Sequence, residues 1–151
     1  MGKFKQGFYT PLNPEKWILP KSSITKGNGI RYMSSWELKV MKFFDLNPQI
    51  LNVSSEPFAI PYISPKDNKI HRYFPDFIVK TDSKVFLVEV KPLHETLPPK
   101  LPKRKTEKSY KNYLKALETY NINYSKWESA RKFCLENNIE FKILTENEIK
   151  V

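Results

Sequence analysis

Two neighbouring apolar runs, "FPDFIVK" and "VFLVEVK", joined by the four residues "TDSK", constrain this chain more than any other feature. Each run is rich in β-branched and aromatic residues, and the short polar link between them predicts an antiparallel hairpin. Side chains alternate along a strand. Val85, Leu87, Glu89 and Lys91 therefore share one face of the second run, and Phe86, Val88 and Val90 share the other. Both faces begin apolar, so the strand is expected to be buried on both sides. Glu89 and Lys91 then emerge together at its C-terminal end. Hairpin pairing brings Asp76 of the first run beside Glu89. Charges at the end of buried strands need a reason, because burying them unpaired is costly. Two carboxylates and an ammonium held together match the oxygen-rich ligation of a hard divalent cation, and such an ion suits phosphodiester hydrolysis.

The flanking sequence predicts the rest of an α/β domain with a mixed central sheet. A helix starts near Ser34 in "SSWELKVMKFFDL" and stops at Asn47-Pro48. "ILNVSS" and "PFAIPYI" read as strands, with Pro57 and Pro61 placing the second at an edge or bulge. After the hairpin, "PLHETLPPKLPKRK" is a proline-rich basic loop. Two helices are expected next, over "TEKSYKNYLKALETY" and "SKWESARKFCLEN", the second with Ser125 and Glu128 at capping-box spacing. "IEFKILT" closes the sheet. Residues 1–30, with all four glycines and Pro11, Pro14 and Pro20, are expected to form an extended basic arm, leaving 31–151 as the folded domain.

Charge narrows the partner. The chain of 151 residues carries a formal net charge of +10. Residues 1–31 and 91–112 hold all of the excess, and the segments between and after them are neutral. Localised positive charge points to a polyanion, most simply DNA. Lys100, Lys103, Arg104, Lys105, Lys108 and Lys111 are the candidates for holding its phosphates, with Arg31 upstream. The single cysteine, Cys134, excludes an intrachain disulfide. No apolar run is long enough for a membrane span, so no membrane partner is expected. His71 and His94 read as surface residues. Glu37 has two readings: Ser34-x-x-Glu37 is a capping box, yet the glutamate also precedes the hairpin on a helix that can face it.

Pro75-Asp76 followed by Glu89-x-Lys91, with twelve residues between the two acids, resembles the signature of the PD-(D/E)XK nuclease superfamily. More of the chain extends the likeness. "GFYTPLNPEKW", "YMSSWELKVMKFFDLNP", "IPYISPKDNKIHRYFPDF", "VEVKP" and "KWESARKFCLENNIEFKILTENE" are similar, in order, to head completion nucleases of large tailed bacteriophages. The "SSWE", "PDF" and "EVK" elements are also similar to the endonuclease subunit of Tn7-type transposons and to phage junction-resolving nucleases. Such relatives often carry an arginine where Met33 stands here, and Arg31 lies two residues earlier.

The resemblance implies a restriction-endonuclease-like core and Mg²⁺-dependent DNA cleavage in capsid completion before tail joining, with Mn²⁺ able to substitute. It implies Asp76, Glu89 and the Val90 carbonyl as metal ligands, Lys91 as the residue that positions water, and Glu37 as a direct or water-mediated ligand. Products with a 5′-phosphate and a 3′-hydroxyl follow. A portal or neck protein is the expected protein partner, and the expected location is the host cytoplasm during assembly, then the head neck. The alternatives are a structural head–tail adaptor with an inactive site, and a junction-resolving or transposition endonuclease, which a stable dimer favours.

Overall fold

The computed structural model describes residues 6–18 and 29–149. Nine strands and two α-helices follow in order: β1 (Gly7–Tyr9), β2 (Trp17–Ile18), β3 (Ile30–Tyr32), α1 (Ser35–Leu46), β4 (Ile50–Ser55), β5 (Ile60–Ile63), β6 (Ile70–Tyr73), β7 (Phe77–Thr81), β8 (Val85–Val90), α2 (Glu107–Glu136) and β9 (Glu140–Leu144). The central sheet is mixed, in the order β2-β4-β7-β8-β9. β7 and β8 form the expected hairpin, with Phe77 opposite Val88 and Val79 opposite Phe86. β8 also pairs in parallel with β9.

The alternation in β8 divides the core. Val88 and Val90 point into an apolar cluster with Val40, Met41 and Phe44 of α1. Leu87 points into a second cluster with Trp127, Ala130 and Cys134 of α2. A helix thus covers each face, and β8 is buried on both sides as its composition predicts. α1 begins where expected: Ser34 Oγ accepts a hydrogen bond from the Glu37 amide at 3.1 Å.

Three expectations change. First, residues 6–18 are not an arm. β1 pairs with β3, and β2 joins the central sheet beside β4. The anchor is Asp45, fully buried at the end of α1. Its carboxylate accepts hydrogen bonds from Tyr9 Oη at 2.5 Å, the Leu12 amide at 2.7 Å, the Asn13 amide at 3.1 Å and Trp17 Nε1 at 3.3 Å. Residues 1–5 and 19–28 of the expected arm lie outside the described residues. Second, the two expected helices are one helix of 30 residues. Nothing between Glu107 and Glu136 is glycine or proline, and the true cap is Thr106, whose Oγ1 accepts from the Ser109 amide at 3.1 Å. Third, "IHRYFPDFIVK" is split at Phe74–Asp76: β6 pairs only with β5 in a separate hairpin, and β7 enters the central sheet. Pro75 cannot donate to a ladder, which accounts for the break.

A helix of 30 residues is about 45 Å long. That is more than twice the roughly 20 Å of a six-residue strand. Its buried residues, Asn123, Trp127, Ala130 and Cys134, all lie in the C-terminal half. The N-terminal half carries the exposed Lys108 and Lys111.

Candidate active site

The hairpin register places Asp76 directly opposite Glu89, one step beyond the Phe77–Val88 pair. Asp76 is fixed from two sides. Its Oδ2 accepts a hydrogen bond from the Val90 amide at 2.8 Å. Its carbonyl accepts one from the Glu56 amide at 2.9 Å, where the Glu56 backbone takes a left-handed φ of 45°. Burial, then the charge and hydrogen bonding of Glu89, then the charge of Glu37, push the Asp76 carboxyl well above the usual range; the Val90 amide opposes this. The proximity of the acids is thus a close electrostatic one.

Glu89 is buried, with only 6% of its surface exposed. One oxygen, Oε2, accepts from Tyr73 Oη at 2.7 Å and from Trp127 Nε1 at 3.0 Å. Three elements therefore converge on one carboxylate: β8 carries it, β6 supplies the tyrosine and α2 supplies the tryptophan. Burial and Glu89 together raise the Tyr73 phenol far above its ordinary value, so it stays a hydrogen-bond donor. Lys91 leaves the end of β8 with its amide bonded to the Leu144 carbonyl at 3.0 Å, partly exposed.

Glu37 serves both readings in part. Its Oε2 accepts from the Met33 amide at 3.0 Å, one residue before the cap. Burial raises its pKa, the Met33 amide opposes this, and the charges of Glu56 and Glu89 raise it further while Lys91 lowers it. The glutamate thus closes the first turn of α1 and lies within electrostatic reach of Glu89 and Lys91. It does not complete a cage: among the described residues no three His, Cys, Asp or Glu side chains are grouped as a metal site.

The basic candidates lie on other elements than the acids. Lys100, Lys103, Arg104 and Lys105 are exposed on the loop before α2, and Lys108 and Lys111 on its first turns. Lys111 pairs with Glu107 at 3.5 Å, a solvent-exposed contact worth little. Arg31 is exposed on β3. A cavity of about 700 Å³ lies between residues 94–100 and the first half of α2, and includes Lys100, Lys115 and His94. It is mostly apolar, and Asp76, Glu89 and Glu37 are not among the residues that line it.

Sequence reasoning missed Tyr73, Glu56 and Lys126. Tyr73 was hidden because an aromatic in an apolar strand run reads as core. Lys126 was hidden because a lysine on an amphipathic helix reads as a solvated residue. Here its ammonium lies 5.9 Å from the centre of the Tyr73 ring and 5.8 Å from that of Tyr62.

Comparison with known proteins places the chain in a family. A model of the TnsA-like endonuclease N-terminal family matches residues 47–146. That span holds four of the five strands of the central sheet, with Asp76, Glu89 and Lys91; Glu37 precedes it. The chain is also 34% identical over 138 residues to the head completion nuclease of Enterobacteria phage T4, covering 89% of this chain and 92% of that one. The family match over most of the sheet, and a relative aligned along nearly the full length, establish that this chain belongs to the TnsA-like endonuclease family.

Proposed function

We propose that the chain is a Mg²⁺-dependent DNA nuclease of the PD-(D/E)XK type that acts in phage head completion before tails are joined. The observation that carries this reading is the placement of Asp76 opposite Glu89 at the end of the β7–β8 hairpin, with Lys91 two residues beyond. The donor set fits a hard cation. It consists of carboxylates and a nearby backbone carbonyl, and the pair of acids repels itself in a way that a bound cation relieves. Asp76, Glu89 and the Val90 carbonyl would hold the ion, with Glu37 reaching it through water. Mn²⁺, with similar ligand preferences, would substitute. When bound, the ion supplies Lewis-acid stabilisation of the charge that builds on the phosphate oxygens.

The protein's own groups do the rest. Tyr73 and Trp127 donate to one oxygen of Glu89, leaving the other to face the site. The Val90 amide does the same for Asp76. Lys91 orients the attacking water against the phosphorus. The water oxygen bonds to phosphorus and gives up a proton, the P–O3′ bond breaks and the departing 3′-oxygen takes up a proton, leaving a 5′-phosphate and a 3′-hydroxyl. The basic loop and the first turns of α2 hold the phosphate backbone without reading sequence. The name of the phage relative supports head completion as the setting; assembly in the host cytoplasm and a place at the head neck are part of the proposal. Among the described residues no helix is long and apolar enough to cross a membrane. A portal or neck protein remains the proposed protein partner.

Incubation with supercoiled plasmid tests the reading. Nicking or linearisation is expected with Mg²⁺ or Mn²⁺ and none with EDTA. A protein that binds DNA but cuts under no metal condition supports the adaptor reading instead. A second expectation concerns the loop. Neutralising Lys103, Arg104 and Lys105 together should reduce the slope of log K against log salt by roughly 1 to 3, since each phosphate contact contributes about 0.9. A salt series in a fluorescence-anisotropy binding assay measures it, and an unchanged slope removes the loop from the DNA interface.

A further inference from the structure

Lys126 packs over the Tyr62 and Tyr73 rings, yet its ammonium has no carboxylate partner among the described residues. It precedes Trp127, whose indole donates to Glu89, and its ammonium is drawn toward the ring of Tyr73, whose hydroxyl donates to the same oxygen. Both neighbours tie it to the rim of the site from the α2 side, whereas Lys91 comes from the sheet. The ion pairs among the described residues are Lys66–Glu118, His71–Asp67, Lys84–Glu140, Lys111–Glu107 and Arg131–Glu128; none includes Lys126. Its side chain is half-buried. Burial lowers its pKa and so does Lys91, while Glu89 and Asp76 pull it back up. A half-buried ammonium held over the Tyr73 ring, beside the tryptophan that bonds Glu89, stands at the rim of the site, where an anion reaching the acids passes it.

We propose that Lys126 binds a phosphate of the DNA strand seated at Asp76, Glu89 and Lys91, so that the strand is held between a sheet lysine and a helix lysine. The proposal rests on the nuclease reading for where the strand lies, and its test separates the two. Lys126→Met keeps the aliphatic stem over the tyrosine rings and removes the charge; Lys126→Arg keeps the charge. Binding of a fluorescein-labelled duplex to the full chain is measured by anisotropy in EDTA across a salt series, with cleavage in Mg²⁺ and thermal melting alongside. The Met variant is expected to lose about 1 from the salt slope and to bind about tenfold more weakly at low salt, while the Arg variant keeps the wild-type slope. Cleavage by the Met variant should fall about tenfold or more. An unchanged slope overturns the proposal even if cleavage falls, because Lys126 then acts only by supporting Tyr73. If the wild type binds but never cuts, the nuclease reading fails and the slope comparison still decides Lys126. Should the Met variant melt early, Lys126→Gln reads the same slope.

Discussion

Asp76→Asn is expected to cut DNA roughly 10³-fold more slowly than the wild type, and yet to melt at a higher temperature. Lys91→Ala should show the same loss of cutting without the gain in stability. The activity arm follows from the roles assigned above. Removing a positioned ionisable group, or one ligand of a catalytic ion, typically forfeits two to four orders of magnitude. The stability arm follows from the geometry. Asp76 faces Glu89 across the hairpin, and folding pushes its carboxyl to accept a proton. Asparagine keeps an acceptor for the Val90 amide and offers a donor toward Glu89. Removing the repulsion should add on the order of 1 kcal/mol, the stability–activity trade-off common at active sites. Plasmid cleavage rates and melts in EDTA measure both. An Asp76→Asn protein that cuts normally eliminates the acid pair as the active centre. One that cuts slowly but melts lower eliminates the repulsion argument alone.

Asp45→Ala is the largest expected loss of stability, about 3–5 kcal/mol. Four donors converge on that carboxylate, from Tyr9, Leu12, Asn13 and Trp17. Removing it leaves them without their acceptor inside the fold, at a cost of about 1–3 kcal/mol for each that stays unsatisfied and buried. Some will find water, which keeps the total near the lower sum. Burial alone would raise the Asp45 carboxyl, but the hydrogen bonds from Tyr9, Leu12, Trp17 and Asn13 outweigh it and hold its pKa below the usual value. A depressed folded pKa gives stability that is present above the unfolded carboxylate value and lost as pH falls through the lowered one. The wild type should therefore lose its advantage over Asp45→Asn in strong acid. Urea unfolding at neutral and acidic pH measures both effects. A neutral-pH difference under about 1 kcal/mol would show that residues 7–18 are held by apolar contacts and not by this carboxylate.

The sequence made the site more legible than its support. Asp76, Glu89 and Lys91 lie on a hairpin, where period-two alternation and a four-residue turn fix both the faces and the register. α1 was legible for a similar reason, since its cap and its stop are local. What failed was long-range or depended on docking. The Asp45–Trp17 contact spans 28 positions, and the prolines and glycines around it look irregular when read locally. The Ser125–Glu128 spacing suggested a helix start, although no residue nearby breaks a helix. Lys126 and Trp127 gained their roles only when the C-terminal half of α2 settled over β8.

Glu89 belongs to the second core as much as to the chemistry, because Tyr73 and Trp127 both spend their only donors on it. Glutamine at that position would retain an acceptor for both and leave the fold nearly undisturbed, whereas an aliphatic residue would strand two buried donors. Among descendants of this chain that drifted away from cutting DNA, Lys91 and Asp76 would be free to vary first. Position 89 would remain confined to glutamate or glutamine long after the activity had gone. A polar residue there would record the ancestry of the fold, and under the proposed mechanism the lysine two places on would record whether cutting persists.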